Sequence, residues 1–472
     1  MVRQSKNKVM RRSIWLIAML CGCWLAAHAQ TPAAGTVHAS VPVAADASNS
    51  YALYLPSNYS TAKHWPLLLI FDPSARGEVP VKLFHEAAER YGFILIGSNN
   101  SRNFEDPSNA IRLLAAEVKD RYAADPRRLY AAGLSGGARV ASSIALACKG
   151  CIAGVIANGA GLPQRAAIAD AENIEWFLVA GTTDFNYPEL WHLKENLDAR
   201  GAASRFVVYD GPHTWMPAEF AERALAWLQL RAMVKGIATL DRDFINKQFD
   251  SRLAEAQAAQ KSGDILTAVR AYRDMASDFK TLRDVKELEA AAKSLAESED
   301  FRKAKKSEKA ALELQDEIAN KIGNLVAMLN QPPDARVAII EQVQSAVHDA
   351  YRRQKDASNA AQKEAIARGL ASAFSLAAGN GEKAMLKKDY SSAKDMFQAA
   401  EIIQPESPWA SYLMATANAQ LGEKKQALQE LNKALDKGMT NRKLLDDAAF
   451  DRIRNEEGFK EVAARLSKAA ND

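Results

Sequence analysis

The feature that most constrains the fold is an alternation of short apolar segments with helical patterns over residues 40–230. The segments between the apolar runs, of which KLFHEAAERY at 82–91 is one, have the spacing of amphipathic helices. Apolar strands that alternate with helices are typical of a mostly parallel sheet buried on both faces, and ligands bind at the carboxyl ends of its strands. The predicted strands are 51–56, 66–73, 92–99, 128–133, 152–159, 175–181 and 205–211.

The pattern changes after Arg231. No strand pattern follows, and Ala, Lys, Glu, Asp and Leu recur at helical spacing. We therefore predict an α/β sheet domain followed by an all-α region. Within this region, 281–375 reads as long linking helices or degenerate repeats with a break at Pro332-Pro333. A chain of 472 residues is too long for one ordinary core, which also predicts more than one domain.

The C-terminal part contains an internal repeat with a period of 34 residues, which is the tetratricopeptide period. Helical hairpins whose spacing matches by accident are the alternative. Stacked repeats form a concave surface, so we expect a protein partner there. The recurring positions are Ala393, Phe397 and Ala400, then Ala427, Leu431 and Ala434, with a looser copy at Gly263, Ala268 and Tyr272.

The N-terminus has the pattern of a secretory signal peptide. Five basic residues precede an apolar run from Ile14 to Ala27, and Ala27-His28-Ala29 has the form of a cleavage site. The run is short for an uncleaved membrane anchor. A lipoprotein anchored at Cys23 is a further alternative, although the apolar run continues past that residue. We expect a periplasmic or secreted protein that meets the membrane only through this segment.

The net positive charge of the chain comes from the basic residues of this segment. The formal charge of +4 becomes −1 without the five basic residues that precede position 30, so the charge gives no reason to expect a nucleic-acid partner.

Two cysteines, Cys148 and Cys151, lie outside the predicted signal peptide. In an exported protein this pair predicts a local disulfide, with free thiols as the alternative. A zinc site would need further ligands, and no second Cys/His pair is near.

A candidate nucleophile lies in Gly133-Leu134-Ser135-Gly136-Gly137, between a predicted strand at 129–132 and a predicted helix at 140–147. A sharp strand-to-helix turn holds its central residue in a strained conformation and needs small neighbours. Such a turn presents a serine hydroxyl above the sheet, at the N-terminus of the helix. A chance occurrence of this common pattern is the alternative until partners are found.

A serine nucleophile needs a base, and the base needs an orienting acid. Asp184 follows the strand at 175–181, and His213 follows the strand at 205–211. Ser135, Asp184 and His213 therefore lie at three strand ends, in the chain order of α/β-hydrolases. We predict that they form the catalytic triad. His85, His192 and Asp170 lie in helical patterns, His64 precedes a strand, and Asp210 is too close to His213 to support its ring.

Residues 40–230 resemble a compact α/β-hydrolase of the esterase kind, similar to polyhydroxybutyrate depolymerases, feruloyl esterases and dienelactone hydrolases. The similarity is in DPRRLYAAGLSGGARVA at 125–141 and GPHTW at 211–215, and residues 380–440 resemble tetratricopeptide arrays. The resemblance implies an oxyanion hole formed by the N–H of Gly136 and a donor after the first parallel strand. The family usually has His-Gly there, whereas this chain has Phe71-Asp72-Pro73-Ser74-Ala75. Proline has no N–H, so Ser74 or Ala75 is the expected donor.

Together these features predict an exported serine hydrolase that acts on carboxylic esters and needs no metal or organic cofactor. A peptidase with the same triad is one alternative, although there is little room for the propeller or cap that such peptidases usually carry. A binding scaffold without activity is another. The predicted organisation is a signal peptide at 1–29, a hydrolase domain at 30–235, a helical linker or degenerate repeats at 236–375, and a repeat domain at 376–472.

Overall fold

A computed structural model of the protein describes residues 32–469, so the predicted signal peptide, its cleavage site and Cys23 lie outside the described residues. The predicted α/β fold is confirmed, because eight strands form one mostly parallel sheet and a large helical region follows it. The strands are β1 Val37–Val43, β2 Asp46–Tyr54, β3 Trp65–Phe71, β4 Ile94–Ser98, β5 Ala124–Leu134, β6 Gly154–Asn158, β7 Glu175–Gly181 and β8 Ser204–Tyr209.

The sheet has the strand order β1-β2-β4-β3-β5-β6-β7-β8. The pairs β1–β2 and β2–β4 are antiparallel, whereas β3–β4 and the pairs from β5 to β8 are parallel. All seven predicted strands are present. β1 was not predicted, because it lies at the sheet edge and carries Pro42, a residue that breaks a strand pattern and is tolerated at edges.

The helices of the described residues alternate with the strands at first and then continue without them. Those that lie between strands or directly after β8 are α1 Glu78–Tyr91, α2 Ser108–Arg121, α3 Gly136–Ala147, α4 Tyr187–Ala199 and α5 Ala218–Val234. Those that follow are α6 Arg242–Ser262, α7 Ile265–Phe279, α8 Lys286–Ala296, α9 Glu299–Met328, α10 Pro333–Asp356, α11 Ala360–Leu386, α12 Tyr390–Ile403, α13 Pro408–Leu421, α14 Lys424–Asp436 and α15 Glu457–Ala469.

Polar caps and glycines set the ends of these helices. The side chains of Asp241, Ser298 and Asn359 accept hydrogen bonds from N–H groups in the first turns of α6, α9 and α11. Gly263 and Gly422 end α6 and α13 with φ of 83° and 79°, a conformation that favours glycine. The predicted break at Pro332-Pro333 is confirmed, because α9 ends before it and α10 begins there.

The chain divides into two compact units between Leu129 and Tyr130. In the first unit, β3 is buried along its whole length. In the second unit, β6 and β7 are wholly buried, and the helices from α3 onward belong to the same unit as these strands. The predicted boundary after residue 235 therefore falls inside the second unit, and it stays a prediction.

A buried ionic cluster within the second unit lies across that predicted boundary. Asp278 on α7 is 3% exposed and accepts hydrogen bonds from Arg205 Nε of β8 at 3.0 Å and from Arg252 Nη1 of α6 at 2.8 Å. Trp227 Nε1 of α5 donates to both of its oxygens. Since buried charges need partners, β8 and the helices from α5 to α7 depend on one another.

The repeat positions on α12 and α14 are buried, whereas Gly263 of the looser copy is exposed. Each of the six residues that recur at the 34-residue period is fully buried, and most of them share one apolar cluster with α13 and α15. Burial is what both a tetratricopeptide array and an ordinary helical array require, so the repeat assignment stays a prediction. Among residues 32–469, no helix is long and apolar enough to cross a membrane.

Candidate active site

Ser135 stands at a sharp turn between β5 and α3. Its φ of 54° and ψ of −120° are strained for a residue with a side chain. Gly133 makes the turn possible, because a Cβ there would lie 2.2 Å from the backbone carbon of Gly137. The strand, the strained serine and the helix form the sharp turn that the sequence predicted, while the role of Ser135 as a nucleophile stays a prediction.

Asp184 lies in the loop after β7 and is fully buried. Its Oδ1 accepts a hydrogen bond from the backbone N–H of Asn186 at 2.8 Å. Its Oδ2 has no hydrogen-bond partner among the described residues. A buried carboxylate of this kind is costly unless cationic groups or donors compensate it.

His213 lies in the loop after β8 and donates from Nδ1 to Oδ1 of Asp184 at 2.7 Å. The ring of Phe185 packs on the His213 ring with 4.2 Å between the ring centroids. The His213 side chain is 17% exposed, so part of the ring remains accessible from the surface. An imidazole held in this way has its tautomer and orientation set by the carboxylate.

The phenol of Tyr209 forms hydrogen bonds with the backbone of the loop that carries His213. Its hydroxyl oxygen lies 2.7 Å from the carbonyl oxygen of Pro212 and 2.9 Å from that of Thr214, and the two carbonyls share its one proton. Burial raises the pKa of this phenol above its usual value. The hydroxyl therefore stays protonated and able to donate at neutral pH.

Asn158 and Gly159, at the end of β6, connect the serine to the acid–histidine pair. The carbonyl of Asn158 accepts from Ser135 N–H at 2.8 Å, and its Oδ1 accepts from Met216 N–H at 2.8 Å. Gly159 has a φ of 65°, and a Cβ on it would lie 2.8 Å from His213 Cε1 and 2.9 Å from Asp184 Oδ2. Sequence reasoning missed both residues, although an Asn-Gly pair at a strand end is a turn signal.

The structure pairs His213 with Asp184 and leaves the other candidate acids elsewhere. Asp210 is exposed and accepts from Thr182 Oγ1 at 3.1 Å. Asp170 lies in a short 3₁₀ helix and pairs with Lys149 at 3.3 Å. His85 and His192 lie on α1 and α4, as the sequence predicted, and His64 lies in the loop before β3.

The predicted oxyanion-hole residues lie at two places in the chain. Gly136 is the first residue of α3, where backbone N–H groups have no acceptor within the helix. Ser74 and Ala75 belong to the first unit, and both of their N–H groups donate to Asp72, at 2.9 Å to its Oδ1 and 3.0 Å to its carbonyl. Their role stays a prediction, since each amide already has an acceptor within its own loop.

The two cysteines lie directly after α3. The Cα atoms of Cys148 and Cys151 are 5.7 Å apart, within the range that a disulfide requires. The pairing stays a prediction.

Among residues 32–469, no cluster of His, Cys, Asp and Glu has the composition of a metal site.

Comparison with known proteins gives similarity of fold. No family model matches the chain, and no curated protein matches its sequence. A ferulic acid esterase is similar in structure over 41% of this chain and 95% of its own, at 18% identity and a TM-score of 0.34. A thermostable esterase matches 41% of this chain and 61% of its own at 15% identity, with a TM-score of 0.34. The S-formylglutathione hydrolase of Staphylococcus aureus matches 42% of this chain and 98% of its own at 14% identity, with a TM-score of 0.33.

Proposed function

We propose that the protein is a serine hydrolase that cleaves carboxylic esters. The observation that carries this proposal is the combination of Ser135 in a strained turn with a hydrogen bond of 2.7 Å between the partly accessible His213 and the buried Asp184. A strained serine stores conformational energy that folding must offset, and such residues concentrate at functional sites. A buried carboxylate in this position would orient the histidine base and stabilise its protonated form.

The reaction begins when His213 Nε2 accepts the proton of the Ser135 hydroxyl while Oγ attacks the ester carbonyl carbon. The carbonyl π electrons move to the oxygen, and Asp184 stabilises the imidazolium that forms. Collapse of the tetrahedral intermediate expels the alcohol, which takes the proton from His213. A water molecule then attacks the acyl-enzyme by the same route and releases the acid and free Ser135.

The oxyanion would be stabilised by backbone amides. The N–H of Gly136 at the start of α3 is one proposed donor. The sequence predicts Ser74 or Ala75 as the second donor, and the amide of each donates to Asp72 within its own loop. No metal or organic cofactor takes part in the proposed reaction.

Replacement of the serine tests this function in the full chain. We expect Ser135→Ala to reduce the kcat for a short-chain aryl ester by several orders of magnitude, since the nucleophile is lost. Ser143→Ala is a matched control. Ser143 lies on α3, the helix that follows Ser135, but its hydroxyl donates to the Arg139 carbonyl. An unchanged rate in Ser135→Ala would show that ester hydrolysis does not use this serine.

We further propose that the protein is exported and that its C-terminal helices bind a protein partner. The support for export is the pattern of residues 1–29 together with the cysteine pair at 148 and 151. The support for partner binding is the 34-residue repeat, whose positions form the buried side of α12 and α14.

A further inference from the structure

Two side chains of the helical region contact the loop that carries Asp184. Arg368 on α11 donates from Nη1 to the carbonyl of Thr182 at 2.7 Å. Gln315 on α9 donates from Nε2 to the carbonyl of Phe185 at 3.0 Å. The two acceptors lie on either side of Asp184 in the chain, so the pair holds the loop at both ends.

Arg368 and Gln315 also bind each other, because Arg368 Nε donates to Gln315 Oε1 at 2.6 Å. They are 4% and 3% exposed, respectively. The Arg368 guanidinium lies 4.6 Å from the centroid of the Tyr187 ring, in the first turn of α4. Buried polar groups are costly unless they are paired, and here a connected network satisfies both side chains.

The charge of Arg368 bears on the buried acid as well. Burial lowers the pKa of its guanidinium, while Tyr187, Glu364 and Asp184 act in the opposite direction. An arginine remains protonated in proteins even so. Arg368 is thus a fixed cation near a carboxylate whose Oδ2 has no hydrogen-bond partner among the described residues.

The loop that these residues hold also positions the histidine. Asp184 supplies the acceptor for His213 Nδ1, and the Phe185 ring packs against the imidazole ring. A displacement of the loop therefore changes the hydrogen bond and the packing of the imidazole together. Misplacement of a catalytic group by about 1 Å can cost about 100-fold in rate.

We propose that Arg368 and Gln315 are positioning residues for the acid–histidine pair, so that the helical region forms part of the hydrolase site. This inference rests on the proposed function. It assigns a role in catalysis to two residues that are distant in sequence from the acid loop. Gln315 lies 130 positions from Phe185, and Arg368 lies 186 positions from Thr182, whose carbonyls they bind. The two residues act through the loop and do not touch the reacting atoms.

The test compares Arg368→Gln and Gln315→Leu with Arg336→Gln in the full chain. Arg336 is the matched control, because it pairs with Asp395 at 2.8 Å in the helical region, is largely buried and contacts neither end of the acid loop. Two readouts are used for each variant: kcat and KM for an aryl ester, and the low-field proton resonance of the His213–Asp184 hydrogen bond. If Arg368→Gln does not fold, Gln315→Leu keeps the test open, because it removes the hydrogen bond to Phe185 and the acceptor of Arg368 Nε but retains the charge of Arg368.

We expect the two variants of the loop contacts to lower kcat by about 10- to 100-fold with little change in KM, and to shift or broaden the resonance. Arg336→Gln should retain both properties. The proposed role would be overturned if all three variants lost kcat and the resonance to the same extent, or if all three retained both. If Ser135→Ala does not affect hydrolysis, the proposed function fails, and the resonance alone then decides whether Arg368 and Gln315 position the pair.

Discussion

The Nδ1 of His213 lies 2.7 Å from Oδ1 of Asp184, and the two residues come from loops that are 29 positions apart in sequence. This contact favours Asp184 as the proposed supporting acid over Asp210, which is much nearer to His213 in sequence. It is formed because β7 and β8 are parallel neighbours whose carboxyl ends meet at one edge of the sheet.

Exchange of the acid for an amide tests this assignment. Asp184→Asn should lower kcat by about three to four orders of magnitude, because the amide favours the wrong histidine tautomer. Asp210→Asn is the control, since its side chain is exposed and binds Thr182. Steady-state hydrolysis of an aryl ester measures both variants, and a greater loss in Asp210→Asn would assign the acid to that residue instead.

A methyl group at position 159 should disturb the site. Gly159→Ala would place its Cβ against His213 and Asp184 at a φ of 65°, so we expect kcat to fall by at least about tenfold, since catalysis depends on the exact placement of these groups. Gly201→Ala is matched in backbone conformation, with a φ of 70° and no atoms near its Cβ position. Its activity should match that of the native protein. Comparable losses in the two variants would trace the effect to backbone strain alone.

The buried ionic cluster should be important for stability. Asp278→Asn leaves Arg205 and Arg252 without their shared carboxylate, and the loss of one partner from a buried ion pair costs about 3–5 kcal/mol in the free energy of unfolding. Asp250→Asn is the control, because its carboxylate is 73% exposed and lies 3.7 Å from Arg283. Denaturant unfolding measures both. A small effect of Asp278→Asn would show that the cluster does not bind β8 to the helices.

The same cluster predicts a pH dependence. Burial opposes ionisation of Asp278, but Arg205 and Arg252 outweigh it and hold the pKa of the carboxyl below its usual value. The stabilisation is therefore fully present above the usual aspartate pKa of about 3.9 and is lost as pH falls through the lower value of the folded state. The unfolding free energy of Asp278→Asn should lack this part of the acid-side decrease. Identical slopes for both proteins below pH 4 would contradict the assignment.

The sequence allowed prediction of those parts of the site that depend on local pattern. Ser135, Asp184 and His213 each follow an apolar strand, and parallel strands bring such ends together. Arg368 and Gln315 could not be predicted, because their partners are backbone carbonyls far away in sequence. A polar residue in an amphipathic helix reads as part of a solvated face until the packing of the helix is known.

The same limit applies to the organisation of the chain. The loss of strand patterns after Arg231 correctly predicted an all-helical region. The boundary predicted at 235 stays a prediction, and nothing in the sequence indicated that Asp278 on α7 forms a buried ion pair with Arg205 on β8. Secondary-structure patterns describe one element at a time, whereas the partners of a buried charge depend on the tertiary structure.

The most direct test of the account is to treat the full chain with a fluorophosphonate and to identify the modified residue by peptide mass spectrometry. Such a reagent forms a covalent bond to an activated serine and needs no knowledge of the natural substrate. We predict a single adduct on Ser135 that is absent from Ser135→Ala and slower to form in Asp184→Asn. No adduct on Ser135 in the folded protein, or an adduct on another serine, would contradict it.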